Sequence, residues 1–341
     1  MINTVYQLVY PKIFKETFSE IKSLENKVIV RPSYLSICKS DQRYYCGKRD
    51  SGILDNKLPM ALIHEGIGEV ILDNTGTFKV GDNVVMIPNI PTEYDNSISE
   101  NYLSSSKFKS SNVDGFMMEY VVLNPDRLVK LPDGIDLKVA SFTELVSVSI
   151  HAIKRFSKFA HNNKNTIGVW GDGNLGYITS LVLKITFPES KIILFGVNQH
   201  KLHRFSFVDE TYLVNEVPED LKIDSAFECV GTNNSSLAIN QIIDLINPEG
   251  TIAILGVSEL PIPINTRMIL EKGLNMFGSS RSAREDFISA IQLFEEYSNI
   301  IPYLKTLITQ TFKINNIKDI NESFEKDLNS QFGKTVLIWD K

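Results

Sequence analysis

From about Val28 to Leu131 the chain alternates apolar and polar positions in short runs: Val28–Ile37, Gly66–Leu72, Asn83–Ile87, Phe116–Leu123 and Arg127–Leu131. Turn-rich segments such as DNTGTFKVGD and NPD separate them. Period-two runs punctuated in this way predict an antiparallel, mostly β domain. Beyond about Glu144 the texture changes. Continuous apolar runs of four to six residues (TIGVW, IILFGV, TIAILGV) alternate with helix-length stretches (LGYITSLVLKITF, SLAINQIIDLI), which predicts a parallel sheet with crossover helices. From about Ser282 two helical patterns, DFISAIQLFEEYS and IKDINESFEKDL, lead to a strand-like TVLIW that could return to the first domain. The Ser- and Asn-rich stretch 92–112 reads as a long surface loop.

A length of 341 residues accommodates two domains, each with its own core. The composition, 43% hydrophobic and 22% charged, is that of a globular chain and excludes disorder. A net charge of -6 offers no broad cationic field for nucleic acid or anionic lipid. No run of about 18 apolar residues predicts a membrane span. The first residues lack a signal-peptide pattern. Three cysteines, Cys38, Cys46 and Cys229, cannot form a disulfide framework and point to a reducing, cytoplasmic setting.

Gly171-Asp172-Gly173-Asn174-Leu175-Gly176 follows the apolar run 166–170 and precedes a helical stretch, the context in which G-x-G-x-x-G binds a dinucleotide. Gly171 permits the turn, Gly173 lets the backbone approach a pyrophosphate, Gly176 allows the helix to pack on the strand, and the helix N-terminus, with Asn174 and Leu175, attracts the diphosphate. About 20 residues on, the second strand ends at Gly196 where NAD sites carry an acid. Lys201, flanked by His200 and Arg204, is a candidate partner for a 2'-phosphate, so NADP(H) is expected over NAD(H). Lys201 and Arg204 equally fit a solvated helix face.

Cys38, His64, Glu65 and Glu144 offer thiolate, imidazole and carboxylate donors of the kind zinc takes at catalytic sites. By residue type alone, His64 fits a core histidine and Cys38 a small buried hydrophobe equally well. Arg43, Lys48 and Arg49, interleaved with Tyr44 and Tyr45, could hold a phosphate or line an ordinary loop. Ser40 and Asp41 could cap a helix. His151, Glu119 and Tyr120 read as packed residues, and Asp82 as shaping the turn at Gly81.

Several ordered motifs together carry a resemblance over nearly the whole chain: Cys38–Asp41, His64–Val70, Val80–Val84, Gly115–Tyr120, Glu144–Ala152, the glycine fingerprint and Glu228–Gly231. The sequence resembles the medium-chain, zinc-dependent alcohol and polyol dehydrogenases. Stretches such as LPMALIHEGIGEV, WGDGNLGYIT and NPEGTIAILGVSE resemble those members that reduce ribulose 5-phosphate with NADPH, supplying CDP-ribitol for teichoic acid or capsule synthesis. The resemblance implies an α/β fold with a Rossmann doubly wound parallel sheet at 146–284. A mostly β GroES-like catalytic domain is implied at 1–145, completed by 285–341.

The resemblance further implies one catalytic zinc on Cys38, His64 and Glu144, with Glu65 adjacent and able to exchange with water in the coordination sphere. Ser40 stands at the family's hydroxyl relay position. Position 144 is often Cys in alcohol dehydrogenases and Glu in polyol dehydrogenases. The chain departs from the family at Ile63, where Gly usually precedes His-Glu. It departs again over Pro88–Asn112, which lacks the four cysteines of a second, structural zinc. A small sugar phosphate, a homo-oligomer, with a dimer favoured and ILGVSELPIPI as a contact, and a cytidylyltransferase are the expected partners. Two other readings stay open: an NAD-dependent dehydrogenase of unphosphorylated polyols or secondary alcohols, and a non-catalytic dinucleotide-binding protein.

Overall fold

The computed structural model describes residues 1–341, the side chains of Ser51 and Ile53 excepted. The chain divides into two compact units, Met1–Ser147 with Ser282–Lys341, and Val148–Arg281.

The first unit is discontinuous because strand pairing joins the two ends of the sequence. Lys334–Trp339 runs antiparallel to Val28–Ser36, with Val336 opposite Ser36. The sheet order is Leu128–Lys130, Asn83–Met86, Glu65–Asp73, Val28–Ser36, Lys334–Trp339, Ile308–Ile314, with Val121–Leu123 also pairing Val28–Ser36. Inward side chains Val30, Leu35, Val70, Val84, Met86 and Leu337 are fully buried together. The helix Ile317–Leu328 adds Ile320 and Phe324 to this core, and Asn316 caps it by accepting from Lys318 N and Asp319 N.

The β region begins earlier than the expected Val28. Ile2–Tyr10 and Ile13–Glu20 form an antiparallel hairpin. Its second strand keeps only Phe14 fully buried, so the apolar alternation that would announce it is weak. Phe14 earns its burial by stacking on Tyr45 (5.8 Å) and meeting Phe324 (5.2 Å).

Residues 92–106 carry no helix or strand, while Lys107–Phe108 pairs with Asn89–Ile90. An ion pair holds this long loop: Arg127 donates to both oxygens of Glu100 at 2.8 and 3.2 Å, and Arg284 N donates to the same carboxylate.

The second unit is a six-stranded parallel sheet in the order Glu210–Leu213, Lys191–Gly196, Thr166–Trp170, Ile223–Glu228, Ile246–Ile254, Asn275–Gly278. From Thr166–Trp170 the strand order first runs outward to one side, through Lys191–Gly196 and Glu210–Leu213, and then to the other, from Ile223–Glu228 onward, which creates the switch point where such folds bind nucleotides. Ile167, Val169, Ile192, Ile193, Leu194 and Phe227 are fully buried, the expected consequence of covering both faces of a parallel sheet. Trp170 stacks on Phe195 at 3.8 Å and donates through Nε1 to Gln241.

Candidate metal centre and dinucleotide site

Cys38 lies just beyond the strand Val28–Ser36, and His64 just before the strand Glu65–Asp73. The register Ser36 opposite Glu65 brings the two together. Donor atoms of Cys38, His64 and Glu65 all lie within 4.8 Å of one another.

Ile63, where the resemblance leads one to expect glycine, adopts φ 68°. A β-branched residue in the left-handed region is strained by about 1–3 kcal/mol. Two hydrogen bonds hold it there: Ile63 N donates to Asp41 Oδ1 (3.0 Å), and Phe116 N donates to Ile63 O (2.7 Å).

Asp41 is fully buried and organises this loop. Its Oδ1 lies 3.4 Å from His64 Nδ1 and accepts from Ser110 Oγ at 2.7 Å, while Oδ2 accepts from Cys38 N at 3.0 Å. Burial opposes ionisation of Asp41, but His64, Ser110 and the Cys38 amide hold its carboxyl below the ordinary range. Burial likewise disfavours the His64 cation, and Asp41 overrides it, raising the imidazole well above its usual value. With Nδ1 facing Asp41, Nε2 is the nitrogen left for a metal, the usual carboxylate–histidine arrangement.

Glu65 is fully buried and paired with Lys334 from the last strand. The ammonium contacts its two oxygens at 2.9 and 2.7 Å and donates to Ile37 O at 3.0 Å.

Glu144 begins the helix Thr143–Phe159 and is 5% exposed. It stands outside the close three-donor set, yet feels the charges of His64, Glu65 and Lys334. Burial pushes its carboxyl up to about 7. The half-buried Cys38 sulfur and the buried His64 imidazole and Glu65 carboxylate, with the buried Glu144 carboxyl within reach of their charges, are the donor types a catalytic zinc takes.

Ser40 is half-exposed in the second position of the helix Lys39–Tyr45. The N-cap is Cys38, so the capping alternative for Ser40 is corrected. The capping interaction comes from Asp41, whose carboxylate takes the Cys38 amide. Arg43 lies on this helix, half-buried, Lys48 is exposed, and Arg49 lies over the Tyr44 ring at 4.6 Å.

Two lysines that sequence reasoning missed join the neighbourhood. Lys57 donates to Tyr44 Oη (2.9 Å) and Ser111 Oγ (3.4 Å). Lys109 follows Phe108, whose ring packs on His64 at 5.5 Å. Burial lowers the Lys109 ammonium, with Asp114 acting in the opposite sense. Among the described residues its ammonium makes no hydrogen bond or ion pair. Neither lysine has a distinguishing motif, and Asp41 and Lys334 reveal their roles only through contacts.

In the second unit Gly171 has φ 126°, and a Cβ there would meet Cys229 O at 2.9 Å. A Cβ on Gly176 would lie 1.8 Å from Gly171 O, so helix Asn174–Thr186 can pack on the turn only without one. A Cβ on Gly173 would meet nothing within 4 Å, which leaves its backbone open to a ligand. Asn174 and Leu175 are the first helical residues behind it.

Gly171 and Gly173 line a cavity of about 520 Å³ together with Asp172, Gly196, Val197, Val230 and Leu237. Behind it the buried Glu228 accepts from Val230 N, Gly231 N, Gly256 N and Ser235 Oγ. Lys201 Nζ lies 3.7 Å from Asp172 Oδ1, and His200 and Arg204 are exposed. His151 is buried in its helix, and Cys229, just past the strand Ile223–Glu228, is buried beside Thr179, where burial raises its thiol. Cys46 is half-buried against the first unit's core.

Residues 24–133 match the alcohol dehydrogenase GroES-like domain, and residues 187–296 match zinc-binding dehydrogenase. Ribulose-5-phosphate reductase 1 of Staphylococcus aureus is 56% identical over 339 residues, 99% of each chain. The ribulose-5-phosphate reductase of Bacillus spizizenii is 52% identical over the full length of both. The crystal structure of S. aureus TarJ in complex with NADPH matches with a TM-score of 0.90 and 51% identity, covering all of both chains.

Proposed function

This chain belongs to the zinc-binding alcohol dehydrogenase family with a GroES-like domain, and from that premise we propose that it reduces D-ribulose 5-phosphate to D-ribitol 5-phosphate with NADPH. The observation that carries this reading is 56% identity to a ribulose-5-phosphate reductase across 99% of both chains. Gly196 supports it by leaving no carboxylate side chain at the second strand end to repel a 2'-phosphate.

Cys38, His64 and Glu144 would hold one zinc per subunit, with Glu65 beside it as the residue able to exchange. Zinc supplies Lewis acidity to the ketone oxygen, and NADPH supplies the hydride. Asp41 fixes the His64 ring so that Nε2 faces the metal position. Lys334 neutralises Glu65 and ties it to the last strand. Ser40 Oγ delivers the proton that the product hydroxyl requires. Gly171, Gly173 and the helix start at Asn174 and Leu175 receive the diphosphate. Gly196 and Lys201 face the adenosine end. Arg43, Lys48 and Arg49 hold the substrate phosphate, a role suited to Arg because its fork donates twice. No cysteine occurs between Pro88 and Asn112, so no structural zinc is assigned.

The product would feed CDP-ribitol formation for teichoic acid or capsule, with a cytidylyltransferase as partner, in the cytoplasm. No described helix is long and apolar enough to cross a membrane. A homodimer is the proposed assembly, with the stretch 254–264, where Val257 and Leu260 are exposed, at the contact. The deciding assay follows NADPH consumption by the zinc-loaded protein with ribulose 5-phosphate against ribulose, and repeats it with NADH. Faster turnover of ribulose, or of NADH, overturns the reading in favour of an NAD-dependent polyol dehydrogenase.

A further inference from the structure

The end of the second strand in a Rossmann sheet receives the adenosine ribose, and a carboxylate there selects the unphosphorylated 2'-hydroxyl. This strand ends in Gly196 for a steric reason. A Cβ on Gly196 would lie 2.8 Å from Asp172 Cβ, 2.8 Å from Leu202 Cδ2 and 3.0 Å from Asp172 Oδ2. Contacts below 3.0 Å force a neighbour to shift; Leu202 Cδ2 ends a flexible side chain, but Asp172 Cβ belongs to the stem of a short side chain that other bonds hold in place.

Asp172, between the first two glycines of the fingerprint, is buried. Its Oδ2 accepts from Val197 N and Asn198 N, both at 2.9 Å, and its Oδ1 faces Lys201 Nζ at 3.7 Å. Asn198 Oδ1 in turn accepts from Lys201 N at 3.2 Å. One carboxylate thus fastens the loop that follows the second strand and is itself neutralised by it.

We propose that Asp172 is the positioning residue that sets cofactor choice: it fills the volume that a side chain at 196 would need, and spends its own charge on Val197, Asn198 and Lys201. The strand end then presents no unpaired carboxylate to a 2'-phosphate, and Lys201 is kept beside the cavity. This rests on the NADPH reading above, which the wild-type protein's own preference tests separately.

The experiment titrates zinc-loaded protein with NADPH and with NADH in the absence of sugar phosphate. Asp172→Ala is expected to weaken NADPH by about tenfold or more, because two charge-assisted hydrogen bonds that order the loop are lost. Asp172→Asn, which keeps the volume and an acceptor oxygen, recovers most of that loss. Gly196→Asp alone loses both nucleotides, and adding Asp172→Ala restores binding with the preference moved toward NADH. The idea is overturned if Gly196→Asp alone binds NADH well, or if the double variant keeps the wild-type preference.

Thermal unfolding reads the steric part without any cofactor. Gly196→Ala lowers the melting temperature, and Asp172→Ala on top of it recovers part of the loss; additive losses would overturn the exclusion. A wild-type preference for NADH would sink the NADPH reading, and the thermal pair would still report on the exclusion.

Discussion

Replacing Lys334 by Met isolates the buried ion pair behind the metal centre. Lys334 and Glu65 side chains are 2% and 0% exposed, so water cannot take over from either partner. The substitution removes contacts of 2.9 and 2.7 Å to the carboxylate and one of 3.0 Å to Ile37 O. Leaving one member of a buried pair uncompensated costs about 3–5 kcal/mol, which is the expected loss for the metal-free protein in urea denaturation. Adding Glu65→Gln removes the orphaned charge and recovers most of it, so the double-mutant cycle should show a coupling of about 2 kcal/mol or more.

Burial disfavours the Lys334 cation, but Glu65 and Cys38 more than offset it, so its pKa is raised. A raised lysine contributes stability below its ordinary value of about 10.4 and loses it only as pH climbs through the folded value. Lys334 stays charged between about pH 6 and 9, so the cost of Lys334→Met should vary there only by a modest rise through about 7, where Glu144, which feels its charge, ionises. A zinc held on Cys38, His64 and Glu144 would place a cation near Glu65, so the loaded protein should lose less. A cost under about 1 kcal/mol, or no rescue by Glu65→Gln, would show that the pair does not carry this role.

Three further expectations concern the reacting site. In the metal-free protein Glu144 titrates at about 7, raised mainly by burial; its contribution is full below the ordinary carboxylate value and is lost as pH rises through 7. Stability should fall by about 3 kcal/mol across that window, Glu144→Gln should abolish the fall, and an unchanged pH profile in the variant would contradict it. Ser40→Ala should lower kcat and alter its pH dependence, and an unaltered profile removes the relay. Arg43→Ala and Lys109→Met should each raise KM for ribulose 5-phosphate by about tenfold while NADPH affinity stays put; Lys109 enters because its side chain, which feels Asp114, makes no hydrogen bond or ion pair among the described residues.

The glycine turn at 171–176 was legible in the sequence because its physics is local. A strand, three glycines and a helix start dictate their own backbone, and Gly171 and Gly176 take the conformations and close approaches their positions imply. The parallel strands were equally legible, since burial on both faces leaves an uninterrupted apolar run. Cys38, His64, Glu65 and Glu144 were recognisable as donors by residue type.

The convergence of Cys38, His64 and Glu65 was decided elsewhere. Cys38 meets His64 because Ser36 pairs with Glu65, and the Lys334–Glu65 bond spans 269 positions of sequence. The N-terminal hairpin escaped notice because its outer strand faces solvent and shows little alternation. Nothing in the glycine fingerprint marks Asp172; its role depends on the loop at Val197 and Asn198, whose amides donate to it. Periodicity and propensity report how a segment treats its immediate neighbours; which charge offsets which, and which side chain denies another its space, are settled only when strands far apart in sequence take up their register.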